Sequence, residues 1–213
     1  MRLDRDRHAG IAAVILAGGR ATRMGGGDKT LLPLAGAPLM QHVLRCLQPQ
    51  VRPMAINANA DPTRFARFGL PVLADPIPGQ PGPLAGVLAG MGWAADQGCG
   101  TLLTVAGDTP FLPADLVQRL RAAGPFALAA SPDATGEFRT HPTTGLWPVT
   151  LRGALQDALH RGERKVGRWA HENGAVTARF DQGPDPFFNV NTPDDLAAAE
   201  ARMARRGQPI GRL

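Results

Sequence analysis

Short apolar runs alternate with amphipathic stretches along most of the 213 residues. Ile11 to Leu16, Pro53 to Asn57, Pro71 to Ala74, Thr101 to Ala106, Phe126 to Ala130 and Thr143 to Trp147 are near-continuous in hydrophobicity. That pattern belongs to strands covered on both faces, whereas a half-solvated strand alternates. Helical spacing joins Leu39, Met40, Val43, Leu44 and Leu47, with Pro38 suited to the first turn. It recurs at Leu84, Val87, Leu88 and Met91, at Leu116, Val117 and Leu120, and at Leu151, Leu155, Ala158 and Leu159. Thr192, followed by Pro193, Asp194 and Asp195, reads as a helix start: a capping hydroxyl, then carboxylates at the positive end of the helix dipole. Strand and helix patterns in alternation predict an α/β three-layer sandwich with a mostly parallel sheet. No internal repeat or linker divides residues 1–213, so a single domain is expected, and the Pro/Gly-rich stretch from Asp75 to Gly86 reads as a substrate loop.

Composition narrows this picture. A hydrophobic content of 44% with 19% charged residues fits a globular protein. No apolar run reaches the roughly 18 residues that span a bilayer. The first residues, Met1 to His8, carry both signs of charge and do not resemble a signal peptide. Cys46 and Cys99 lie far apart with no Cys-x-x-Cys spacing, so a reduced, cytoplasmic chain with two structural thiols is expected. The net charge of +5 comes from the ends. Seven of the 23 basic and two of the 18 acidic residues lie there, leaving 16 of each sign between His8 and Ala201. Residues 1–9 and 204–213 are therefore expected to be basic, flexible ends, with docking on an acidic partner as the alternative. Basic and aromatic residues do not interleave as they would on a base-stacking surface, so neither nucleic acid nor membrane is an expected partner.

The first strand opens into a loop that suits phosphate. Gly18 and Gly19, then Gly25, Gly26 and Gly27, let backbone N–H groups approach oxygen without Cβ interference, and Arg20, Arg23 and Lys29 add charge. Lys29 is one of two lysines beside 21 arginines. The spacing excludes a P-loop, since Lys29 follows Asp28 rather than glycine, and also excludes a dinucleotide-binding Gly-x-Gly-x-x-Gly. Asp108 falls just past the Thr101 to Ala106 run, where ligands of open α/β sheets collect, and a carboxylate there can hold Mg²⁺. The alternative is a turn cap before Pro110. Asn57 and Asp75 also follow strand-like runs, where solvated turn residues are the plain reading. Asn189 and Asn191 precede the last helix and either face a substrate or satisfy local backbone. His141 is a lone histidine before proline. No His-Glu-x-x-His, Gly-x-Ser-x-Gly or zinc-type cysteine pattern is present.

Several blocks together carry a more specific resemblance. They are Leu16-Ala17-Gly18-Gly19, Arg23-Met24-Gly25, Asp28-Lys29, Asn57-Ala58-Asn59, Pro81-Gly82-Pro83-Leu84-Ala85-Gly86, Gly107-Asp108-Thr109-Pro110, His141-Pro142-Thr143 and Phe188-Asn189-Val190-Asn191-Thr192-Pro193. Spread from residue 11 to about 200, they resemble the nucleotidyltransferases that act on molybdopterin, and among these the molybdenum cofactor guanylyltransferases. The resemblance implies a Rossmann-like sandwich of nucleotidyltransferase type. It also implies transfer of GMP from GTP to the terminal phosphate of molybdenum-bound molybdopterin, with release of pyrophosphate. Catalysis would then rest on Arg23, Lys29 and Asp108, with Mg²⁺ on Asp108. The nucleotide would lie against Leu16, Ala17, Gly18, Gly19, Lys29, Asn57, Asp75 and Asp108. The acceptor would meet Arg20, Gly82, Gly86, His141, Asn189 and Asn191. Other cofactor synthesis or delivery proteins and apo-molybdoenzymes would be transient partners of a monomer. A cytidylyltransferase on the same acceptor and a non-catalytic nucleotide or cofactor carrier are the alternatives. Gly18 favours GTP, because cytidylyl relatives carry alanine in that place.

Overall fold

The computed structural model describes residues 10–18, 28–59, 61–77, 82–181 and 185–207. Its centre is a seven-stranded sheet. In chain order the strands are β1 (Ile11–Leu16), β4 (Met54–Asn57), β5 (Val72–Leu73), β6 (Thr101–Ala106), β7 (Ala127–Pro132), β8 (Phe138–Pro148) and β9 (Val176–Arg179). Two further two-residue strands, β2 (Pro33–Leu34) and β3 (Ala37–Pro38), pair with each other as a hairpin. Across the sheet the order is β5-β4-β1-β6-β8-β7-β9, and β8 alone runs against its neighbours.

Helices cover both faces. α1 (Leu39–Leu47) and α3 (Leu116–Ala123) lie over Ala13, Ile15, Ile56, Leu103 and Val105. The alternate residues Ala12, Val14, Ala55 and Leu102 face α2 (Pro83–Asp96), α4 (Arg152–His160) and α5 (Val166–Glu172). Both faces are dry, which explains the near-continuous apolar runs. In the second layer the Trp147 indole N–H donates to Thr104 Oγ1 at 2.7 Å, so the two polar groups buried there satisfy each other. α6 (Pro193–Gly207) buries Ala199 in a third, smaller core with Leu34, Leu39, Phe111 and Val190.

The expected strands and helices are present with shifted ends. Pro38 occupies the position before α1 rather than its first turn, because it also closes β3. β8 begins at Phe138, five residues before the apolar run, since its first half carries Arg139, Thr140 and His141 and is only partly buried. The periodic pattern predicts neither α5 nor β9. α5 has seven residues and buries only Val166, Trp169 and Ala170, and β9 is an edge strand that buries only Ala178. α6 takes in the first four residues of the expected basic C-terminal end, and residues 1–9 and 208–213 lie outside the described residues. Among the described residues no helix is long and apolar enough to cross a membrane.

Candidate active site

β1 and β6 are paired in register to their last residues, Leu16 against Ala106. From β1 the chain winds outward through β4 and β5, then returns to β6 on the other side of β1. The carboxyl ends of β1 and β6 therefore flank the switch point of the sheet, the place where such sheets open a crevice for ligand. A cavity of about 510 Å³ lies there, lined at one end by Gly18, Lys29, Thr30 and Asp108 and at the other by Asn57, Asn59 and Asp75. Two other concavities, one on α4 and α5 and one between β5, α2 and α4, contain no unpartnered buried polar atom.

At the first end three distant segments meet on one ammonium. The Lys29 Nζ donates to Asp108 Oδ2 and to Asn191 Oδ1, and Lys29 is only 8% exposed. The Gly107 N–H donates to the Leu16 carbonyl at 3.0 Å, which fixes the strand exit. A Cβ on Gly107 would come within 2.7 Å of Thr30 Cγ2, so the absence of a side chain lets the Lys29–Leu31 turn settle against Asp108. The Val190 N–H donates to the Asp108 carbonyl at 3.0 Å, holding the Asn189 to Asn191 segment alongside. The turn before Pro110 is closed by the Thr109 hydroxyl on the Ala106 carbonyl, and the Asp108 carboxylate plays no part in it.

Asp108 Oδ1 and Thr30 Oγ1 are buried without a hydrogen-bond partner among the described residues. A buried polar atom left unpaired costs about 1–3 kcal/mol, more when charged, so ligand chemistry is the natural use for these two. Among the described residues no cluster of three or more His, Cys, Asp or Glu could cage a metal. A free carboxylate oxygen in an otherwise open cleft suits an ion that takes one or two protein oxygens and completes its shell with phosphate and water.

The other end is a closed polar network. Asn57 Nδ2 donates to the Leu73 carbonyl at 3.1 Å and to Asp75 Oδ1 at 2.9 Å. Asn59 Nδ2 donates to Asp75 Oδ2 at 2.8 Å, and the Asp75 N–H returns to Asn59 Oδ1 at 2.9 Å. Arg64 joins this wall to the glycine-rich loop. Its Nη2 donates to the Asn59 carbonyl at 2.8 Å, its Nε to the Asp61 carbonyl at 2.8 Å, and its Nη1 pairs with Asp28. Asp28, just before Lys29, is thereby tied to the Asn59 wall through Arg64.

The remaining expected residues are placed as follows. Leu16, Ala17 and Gly18 line the cleft, and the Ala17 N–H donates to the Asn57 carbonyl at 2.8 Å. A Cβ on Gly18 would meet nothing within 4 Å among the described residues, so their packing does not require glycine there. Gly82 lines the cleft at the start of α2 with φ of 85°, a conformation that favours glycine. Gly86 is buried in α2, where a Cβ would lie 2.2 Å from Asn57 Oδ1; its position serves helix packing onto that amide. Asn189 is exposed beside Val190. Gly19, Arg20 and Arg23 lie outside the described residues.

His141 is not among the cleft-lining residues. Its Nε2 is 2.8 Å from Ser131 Oγ, which donates to Asp185 Oδ1 at 3.1 Å, so the imidazole Nε2–H is the donor to serine. The ring packs on Phe187 with centroids 4.6 Å apart. Burial pushes the His141 pKa below the usual histidine value, and the nearby Asp185 charge opposes this only in part. The chain His141–Ser131–Asp185 ties the sheet to the segment that leads into Asn189 and Asn191.

That segment ends in a reciprocal cap. The Asp195 N–H donates to Thr192 Oγ1 at 3.1 Å, while Asp195 Oδ2 accepts the N–H groups of Asn191 and Thr192, each at 2.9 Å. Burial alone would push the Asp195 pKa up; the hydrogen bonds from Asn191 and Thr192 outweigh it and hold the carboxyl below its ordinary value. The sequence assigns no role to Arg64 or Thr30, and none to Asn59 although it stands in the Asn57-Ala58-Asn59 block. Arg64 sits in a 3-10 turn that carries no motif.

Comparison with known proteins agrees with this geometry. The model of the MobA-like NTP transferase domain matches residues 13–176. The molybdenum cofactor guanylyltransferase of Mesorhizobium japonicum is 48% identical over 195 residues, which cover 89% of this chain and 94% of that protein. The protein of the same name from Rhodobacter capsulatus is 49% identical, over 91% and 96% of the two chains. The crystal structure of molybdopterin-guanine dinucleotide biosynthesis protein A from Archaeoglobus fulgidus superposes with a TM-score of 0.72 over 92% of this chain and 99% of that one, at 24% identity. A 4-diphosphocytidyl-2C-methyl-D-erythritol synthase from Anaerococcus prevotii shares the fold at 13% identity, with a TM-score of 0.72 over 96% and 100% of the two chains. With its switch-point cleft, its Lys29–Asp108–Asn191 cluster and these relatives, the chain belongs to the MobA-like NTP transferase family.

Proposed function

We propose that the protein transfers GMP from GTP to the terminal phosphate of molybdenum-bound molybdopterin, giving the guanine dinucleotide form of the cofactor and pyrophosphate. The observation that carries this reading is the cleft itself. It places an ammonium–carboxylate pair with an unused carboxylate oxygen at one end and an amide–carboxylate wall at the other. The first suits phosphates and the second suits the hydroxyl and ring N–H groups of a nucleoside.

The chemistry needs charge control more than proton transfer. The attacking group is a phosphate monoester, whose second pKa is about 6, so it is largely ionised at neutral pH and needs no strong base. The obstacle is bringing one polyanion onto another. Lys29 would offset this repulsion, with Arg23 and the backbone N–H groups of Gly18 and Gly19 in support. Transferases of this family work with a divalent metal, which we take to be Mg²⁺ held by Asp108. Such an ion supplies neutralisation of the phosphate charge when bound. Asn57 and Asp75 would hold the nucleoside, and the absence of a side chain at Gly18 leaves room for the purine. Asn189 and Asn191 would meet the acceptor, with the Asn191 amide beside Lys29.

The test is turnover with purified molybdopterin as acceptor, followed by pyrophosphate release, with GTP and CTP in parallel. GTP should support the reaction and CTP should not. Turnover with CTP alone would replace the base assignment, and nucleotide binding without pyrophosphate would make the protein a carrier.

A further inference from the structure

Thr30 stands next to the residues assigned to the phosphates, yet neither the sequence nor the packing accounts for its hydroxyl. The residue is 3% exposed and lines the cleft beside Lys29 and Asp108. Its methyl group fills the hollow over Gly107, where a Cβ would come within 2.7 Å. A valine would fill that hollow equally well. The hydroxyl has no partner among the described residues. The other unpaired oxygen of the cleft, Asp108 Oδ1, belongs to the residue directly after Gly107. The close approach at Gly107 thus brings onto one wall two buried oxygens whose lone pairs are unused.

We propose that Thr30 is a ligand of the metal–triphosphate complex, its hydroxyl oxygen coordinating the divalent cation together with Asp108 Oδ1. The proposal rests on the nucleotidyl-transfer reading above. Its physical basis is the economy of charge in the cleft. Lys29 and Asp108 already cancel each other, and a second carboxylate would repel a triphosphate. A neutral oxygen completes the coordination without adding negative charge. Lys29 and Thr30 are adjacent, and they carry the two groups by which a P-loop handles the same cargo: an ammonium for phosphate oxygens and a hydroxyl for Mg²⁺. The loop spacing differs from a P-loop, so the same pair of groups is delivered here by a 3-10 turn set against β6.

The experiment compares Thr30→Val, Thr30→Ser and Asp108→Asn in the full chain. Binding of Mn²⁺ in the presence of α,β-methylene-GTP, which cannot be transferred, is measured by calorimetry, and thermal unfolding is measured without metal or nucleotide. Thr30→Val should weaken Mn²⁺ binding by about 10- to 100-fold. Its metal-free unfolding temperature should hold or rise, by up to about 2–4 °C, because an unpaired buried hydroxyl is gone. Thr30→Ser should keep the binding. Wild-type Mn²⁺ affinity in Thr30→Val overturns the proposal, as does a fall in its metal-free unfolding temperature, which would make the hydroxyl a structural group. Asp108→Asn separates the two levels. If it alone loses Mn²⁺, only the role of Thr30 fails; if it too binds Mn²⁺ normally, the transfer-site reading fails with it.

Discussion

At the scale of single residues, Lys29 and Asp108 stand or fall together. Removing the ammonium leaves a partly buried carboxylate with neither oxygen paired among the described residues, which costs about 1–3 kcal/mol. Lys29→Met should therefore lower stability and kcat at once, read by thermal unfolding and pyrophosphate release. Asp108→Asn keeps an oxygen for Lys29, so its fold should survive by circular dichroism while metal-dependent turnover falls by about 10²-fold or more. Equal turnover in Asp108→Asn and wild type would remove Asp108 from the chemistry. Gly18→Ala adds a methyl group that meets nothing among the described residues, so stability should hold. The ratio of GTP to CTP turnover should drop by about tenfold, since one methyl in a base pocket is worth that much. An unchanged ratio would detach Gly18 from base choice.

At the scale of elements, the start of α6 connects stability to substrate. Thr192 and Asp195 cap each other, and the same carboxylate holds the N–H of Asn191, whose side chain meets Lys29. Asp195→Ala should cost about 1 kcal/mol, a fall of about 2–4 °C in unfolding temperature, and it should also raise KM for the acceptor more than KM for GTP. Thr-Pro-Asp-Asp makes this helix start legible in the sequence, because capping is a local matter of a few side chains and the backbone beside them. β9 and α5 were not legible, since Ala178 alone is buried in the one and a glycine interrupts the other. The site shows the same division. Asp108 and Asn57 announce themselves at strand ends, whereas the guanidinium of Arg64 reaches Asp28 only through the tertiary fold. No pattern of spacing encodes a contact between a 3-10 turn and a loop 36 residues earlier.

At the scale of the whole molecule, His141 gives stability a pH dependence. Its pKa in the folded protein lies below the value of 6.5 for a free histidine because burial disfavours the charged ring. As pH falls below 6.5 the unfolded chain takes up the proton first, so the stability that His141 supports is complete above this value and declines below it. The unfolding temperature should therefore drop between pH 7 and 5, and His141→Gln should flatten that drop. A profile of the same shape in the variant would assign the loss to other groups. Because Asp185 and Phe187 contact this side-chain chain, the acid effect should reach the acceptor side before it reaches the nucleotide wall.

The hydrogen bond from Val190 to the Asp108 carbonyl has a consequence for dissection of the protein. A chain ending at Asp181 retains every strand of the sheet. It loses the strap that braces Asp108, the amide that steadies Lys29 and the residues that α6 contributes to the third core. Such a truncation would be a sheet without a working crevice: the boundary of the scaffold and the boundary of the catalyst do not coincide.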